Sequence, residues 1–98
     1  MKPILIVDGM MSGTGIRDGL NGGYVNLTDL PISESLISQI CSWKKQYEYE
    51  HNEGYPDLKI ISDLDEQGVS IARSIKSEIK DADVRYFSDA KMETFYIG

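Results

Sequence analysis

Four apolar residues in a row, Ile4-Leu5-Ile6-Val7, begin after Pro3 and stop at Asp8-Gly9. A short continuous run between breakers predicts a strand buried on both faces or central in a sheet. Residues 9–23 then carry six of the nine glycines, and Asn21-Gly22-Gly23 is a strong turn signal. Tyr24-Val25-Asn26-Leu27 alternates weakly and predicts a short strand, which Thr14 to Arg17 would meet across the Gly-rich turn as a hairpin. The period then changes. Ser33 is a good N-cap after Pro31, and Leu36, Ile37, Ile40, Trp43, Lys44 and Tyr47 follow at helical spacing. This first helix is expected to fray over 49–52, with Gly54-Tyr55-Pro56-Asp57 as a loop and Trp43 and Tyr47 as core anchors. A second helix is expected from Ser62 or Asp63 to about Lys80, with Leu64, Ile71, Ala72, Ile75 and Ile79 on one face. Gly68 lies on that same face, and close packing is the simplest reason for an interior glycine there. Val84-Arg85-Tyr86-Phe87 reads as a strand, and Thr94-Phe95-Tyr96-Ile97 as another strand or an ordered tail.

This order predicts an α/β fold with α+β-like character. It is a two-layer sandwich of three to five short strands with two helices packed on one face, and the first and late strands are candidate neighbours. The chain has 98 residues, which suits a single domain spanning 1–98. One cysteine excludes an intramolecular disulfide framework. Ile4 to Val7, the longest apolar run noted, is too short for a bilayer span or a signal-peptide core.

Charge sharpens the picture. The formal net charge is -6, which argues against direct nucleic-acid binding and favours a basic partner. Residues 48–66 hold seven acids (Glu48, Glu50, Glu53, Asp57, Asp63, Asp65 and Glu66) and one base, Lys59, so the whole net charge resides there. Two readings stand side by side. One is a solvated linker and helix start, where acids suit the helix dipole. The other is a docking surface for a cationic partner, to which Tyr55 would also contribute.

Candidate chemistry is sparse. Asp8-Gly9-Met10-Met11-Ser12-Gly13-Thr14-Gly15 follows a strand, as a phosphate-cradling loop would. It lacks the lysine of a Walker loop, and no helix opens directly after it. A small phosphate- or nucleotide-binding protein using residues 9–15 is therefore the alternative function, and turn chemistry is the plainer explanation of the glycines. His51, the single histidine, reads as a helix-end or solvent-exposed residue, and Cys41 as an inert core thiol near the apolar stripe. The acids Asp57, Asp63 and Asp65 lack calcium-loop spacing, and one histidine assembles no convincing triad. No catalytic residue, metal ligand or cofactor is indicated.

Several of these segments, in this order, resemble immunity proteins of bacterial polymorphic toxin systems, of which contact-dependent growth inhibition immunity proteins are the best-known group. They are Asp8 and Met11-Ser12-Gly13-Thr14-Gly15-Ile16-Arg17-Asp18, then Leu27 to Leu36, and Trp43 with Tyr47 and Glu48. Asp65-Glu66-Gln67-Gly68-Val69-Ser70-Ile71-Ala72 and Val84-Arg85-Tyr86-Phe87 complete the set. Arg17 stands where that group usually carries Trp or another aromatic. The resemblance covers residues 4–88. It implies a small cytoplasmic, non-enzymatic protein that binds and neutralises a cognate toxin domain, commonly a nuclease. A monomer forming a 1:1 heterodimer with the toxin is expected, with no membrane contact. Shared segments of such proteins serve as scaffold, so toxin contacts are expected in the acidic stretch: Glu48, Glu50, Glu53, Tyr55, Asp57, Asp63, Asp65 and Glu66.

Overall fold

A computed structural model describes residues 2–10, 13–55 and 57–97. Its elements are β1 (Ile4–Asp8), β2 (Ile16–Asp18), a 3-10 turn (Leu27–Asp29), α1 (Glu34–Asn52), α2 (Leu58–Glu78), β3 (Asp83–Ser88) and β4 (Glu93–Ile97). They form a four-stranded mixed sheet in the order β2-β1-β3-β4, with two helices. This is the expected two-layer α/β arrangement. β1 and β3 are parallel neighbours, and a parallel pair needs a long crossover, which here contains both helices. β2 and β4 pair antiparallel on the outside.

Register separates the two faces of the sheet. Ile16 lies opposite Val7, Val7 opposite Tyr86, and Leu5 opposite Val84. All five are buried, together with Leu36, Ile40, Trp43 and Tyr47 of α1 and Leu64, Ile71, Ala72 and Ile75 of α2. That is the core, and it holds the aromatic anchors expected from helical spacing. Gly68 confirms the close-packing reading, and its partner is the sheet. A Cβ there would stand 2.2 Å from Tyr86 Cε1. The opposite face carries Ile4, Ile6, Arg17, Arg85 and Phe87, half-buried, and the exposed Tyr96. Arg17 lies over Phe87 at 5.5 Å and Arg85 over Tyr96 at 4.8 Å.

Three local expectations shift. α2 begins at Leu58 rather than at Ser62 or Asp63, because the Asp57 carboxylate caps it by accepting from Lys59 N (2.9 Å) and Ile60 N (3.4 Å). Leu58 is 81% exposed, so the apolar period could not announce this first turn. α1 stays helical through Asn52 instead of fraying. The hairpin of 14–17 with 24–27 shrinks to a single Arg17–Tyr24 bridge, and β2 pairs with β1 instead. There Ile16 joins the core, while Asp18 accepts from Leu20 N and Asn21 N and turns the chain back within a few residues. The helix ends are tied together as well. Glu78, at the end of α2, accepts from the N–H (2.6 Å) and hydroxyl (3.1 Å) of Ser33, the N-cap of α1.

Candidate functional site

β1 and β3 end side by side at Asp8 and Ser88, and the α1–α2 corner stands at the same end of the molecule. Crevices beyond the carboxyl ends of parallel strands are where open α/β sheets most often bind. In this protein that end is lined with carboxylates.

Asp8 is fully buried. It accepts from the Tyr24 hydroxyl at 3.0 and 3.2 Å and from Met10 N at 3.0 Å. Arg17 Nε lies 3.3 Å away as an ion pair that is not aligned as a hydrogen bond. Asp65, on α2, is 7% exposed. It accepts from the hydroxyls of Tyr86 (2.6 Å), Ser88 (2.9 Å) and Tyr47 (3.1 Å), and Lys91 Nζ approaches to 3.7 Å. Asp89 follows β3 and is half-buried. Its Oδ2 is out of contact with solvent and has no hydrogen-bond partner. Burial, and next the charge on Asp8, push its pKa up to about 6. Burial also raises the Tyr24 and Tyr55 hydroxyls to about 12, with Asp8 adding to the shift at Tyr24, and Tyr47 and Asp89 at Tyr55.

Asp89 makes folding pH-dependent. The unfolded carboxyl titrates near 3.8, and the folded one near 6. The folded state therefore holds the extra proton between these values, and stability falls as pH rises through that window. Asp89→Asn should raise stability at pH 7.5 by about 1 kcal/mol, allowing for partial solvation, and leave it unchanged below pH 4. Urea midpoints at the two pH values measure this, and equal midpoints at pH 7.5 would refute it.

The structure divides the eight residues expected to touch a partner. Glu53, the α1 C-cap, Asp57, the α2 N-cap, and Asp63 are exposed around the corner. Tyr55 is half-buried beside them at φ 55°. Its ring packs on Tyr47 and His51, and its hydroxyl bonds His51 Nδ1 at 2.9 Å. Glu66 is also exposed but lies on the flank of α2 next to Phe95. Glu48 is ion-paired with Lys44 one helical turn away. Glu50 and Asp65 are buried, so as contact residues they are corrected to interior ones: Asp65 holds three core hydroxyls, and Glu50 is only 6% exposed. Helical phase explains both. The two positions fall on the inward faces of their helices, where acid-rich neighbours in sequence conceal them.

Asp8 and Asp89 are the participants that sequence reasoning left out of the site. A strand-end carboxylate was the available signal at Asp8. Asp89 gave none, because only the fold brings it beside Asp8. Cys41 is corrected too. It is exposed, on the rim of an open groove of about 420 Å³ with Ile37, Lys44 and Lys45. His51 is exposed in the last turn of α1, as expected.

Comparison with protein-family models, curated proteins and solved structures gave no match. The chemistry of the site therefore rests on its geometry. No group of three His, Cys, Asp or Glu among the described residues is placed to hold a metal ion. No described helix is long and apolar enough to cross a membrane. In the Gly-rich loop, Met11 and Ser12 lie outside the described residues, as does Pro56 of the interhelical loop. The loop glycines fit close approach. Cβ atoms at Gly9, Gly13 and Gly15 would stand 2.7, 2.2 and 2.7 Å from Tyr47, Tyr24 and Ile40. Asp8 at the root of this loop is ion-paired with Arg17, and residues 9–15 supply no lysine or arginine of their own to hold a phosphate.

At the other end of the molecule the cations are occupied within the chain. Lys76 caps the carbonyls of Lys80 (2.8 Å) and Ala82 (2.6 Å), and Arg85 pairs with Asp83.

Proposed function

We propose that this protein is an immunity protein that neutralises a basic toxin domain, of the nuclease type, by covering its active site or substrate groove with the carboxylate-lined end of the sheet. The observation that carries the reading is Asp89: a half-buried carboxylate with an orphaned oxygen, within the field of the buried Asp8 and Asp65 carboxylates, while Glu53, Asp57 and Asp63 are exposed on the α1–α2 segment. An Arg or Lys from a partner would pair with the accessible part of the Asp89 carboxylate and offset the repulsion from Asp8. A nuclease groove is rich in such side chains, because it must hold phosphates. The exposed acids steer the encounter, and the partly desolvated one anchors it. Repulsion of misplaced charges would discriminate among related toxins. On this reading the protein is cytoplasmic, non-catalytic and cofactor-free, and each chain engages one toxin domain.

The test is a combined variant, Glu53→Gln, Asp57→Asn, Asp63→Asn and Asp89→Asn. Asparagine keeps the α2 cap, so the fold is preserved. Binding would be measured by calorimetry against a basic nuclease-type toxin domain sought in the neighbouring reading frames, together with protection of cells expressing it. Affinity should fall at least about a hundredfold, and wild-type binding should weaken as salt rises. Full protection by the variant would sink the proposal.

A further inference from the structure

We infer that two copies of this chain pair through β4, joining their sheets around a twofold axis at Phe95. This surface is separate from the acidic end and does not depend on the toxin-binding reading, and the pairing departs from the free monomer that the family resemblance implies. β4 is an edge strand whose outward N–H and C=O groups have no neighbouring strand in the sheet. Natural edges are usually blunted by lysine, proline or a bulge. Here the edge reads Glu93-Thr94-Phe95-Tyr96-Ile97, without lysine or proline, and Phe95, Tyr96 and the adjoining Met92 are 38%, 71% and 73% exposed.

The occupant is chosen by self-complementarity, which a twofold interface requires. Phe95 stacks on Tyr86, and Tyr86 faces Gly68, so Phe95 lies level with the middle of α2. Glu66, Val69 and Arg73 line the groove between α2 and Phe95. Neither Glu66 nor Arg73 is ion-paired among the described residues. These two charges sit two helical turns apart, about equally spaced before and after Val69. A twofold through Phe95 sets α2 antiparallel to its copy, bringing Glu66 of each chain opposite Arg73 of the other. It also places Thr94 across from Tyr96 and Glu93 across from Ile97. α2 rides chiefly on β3, one strand in from the edge. The two helices would therefore stand roughly 14 Å apart, three strand spacings, a gap that a Glu and an Arg span together. Val69 and Phe95 fill the space beneath. A foreign strand could use the edge, but it would leave this charge pattern unexplained.

The experiment is sedimentation equilibrium of the chain alone over the micromolar range, with far-UV spectra to confirm folding. The wild type should be a reversible dimer. Arg73→Glu and Glu66→Arg should each weaken it about tenfold or more by placing like charges across the axis, and the double reversal should restore it. A wild type that stays monomeric overturns the inference. So does a dimer indifferent to both single reversals, or a β4 whose amides resist hydrogen exchange only when a different protein is added. Both substituted side chains are exposed, and the wild-type measurement alone already decides the first outcome.

Discussion

Asp65→Ala should destabilise the protein by about 3–5 kcal/mol. Its carboxylate accepts from Tyr86, Ser88 and Tyr47, three hydroxyls at the junction of α1, α2 and β3. Those donors come from parts of the chain 18 to 23 residues away, so one side chain fixes how the helices seat on the sheet. Truncation leaves all three hydroxyls buried without their acceptor, at about 1–3 kcal/mol for each group that finds no other. Tyr47 has a second role, since its oxygen accepts from Ala90 N at 3.1 Å and so fixes the turn that carries Asp89. Burial and the bond to Asp65 hold the Tyr86 hydroxyl far above its usual pKa, so it remains a donor at every working pH. A domain this small has about 5–15 kcal/mol of stability in all, so the loss is a large fraction of it. Urea unfolding followed by far-UV circular dichroism measures the change. Asp65→Asn, which keeps one acceptor oxygen, should lose about half as much. A midpoint unmoved by Asp65→Ala would show that the hydroxyls find other partners. Although Asp65 belongs to the acid-rich stretch, its effect should appear in folding, and the toxin affinity of the folded Asp65→Asn protein should stay near wild type.

That separation marks how far the sequence could be read. Helical periodicity located both helices and the core aromatics, because each buries a regular stripe, and short apolar segments located the β1 and β3 strands. It also predicted that Gly68 packs closely against the first helix or the sheet, and the sheet is the partner. It misplaced the start of α2, since the cap at Asp57 precedes an exposed Leu58 and is announced by geometry rather than by apolar period. It located the acidic surface only in part. Counting charge along residues 48–66 points to the α1–α2 corner, yet it treats Glu53 and Asp65 alike, although one is exposed and the other spent on core hydroxyls. The same count overlooks Asp8 and Asp89, which lie about eighty residues apart in sequence and meet only because β1 and β3 are parallel neighbours. Cys41 fails for a related reason: one step around α1 from the apolar stripe is enough to reach solvent.

Trp43→Ala should cost about 3–5 kcal/mol, by cavity formation rather than by loss of charge. Trp43 is 2% exposed, with ring centroids 5.5 Å from Tyr47 and 6.0 Å from Tyr86. Its indole Nε1 donates to the Leu64 carbonyl at 2.8 Å, which pins α1 to α2 one residue before Asp65. Alanine would empty the space between the helices and the sheet just beneath the carboxylate network, and the surrounding aromatic rings are too rigid to refill it. Trp43→Phe keeps most of the apolar burial and loses the indole bond, so about 1–2 kcal/mol is expected. Because this is the only tryptophan, unfolding of either variant must be followed by circular dichroism rather than by intrinsic tryptophan fluorescence. A loss under about 1 kcal/mol for alanine would mean that the core collapses around the site. The functional consequence separates support from contact. Trp43 supports the acidic end without reaching its surface, so under the proposed function cells carrying Trp43→Ala should lose protection in step with the unfolded fraction. Toxin affinity measured in a stabilising osmolyte, where the variant is folded, should return to the wild-type value. Under the proposed function, the combined acid variant should remain weak in the same conditions, because its defect would lie in the docking surface itself.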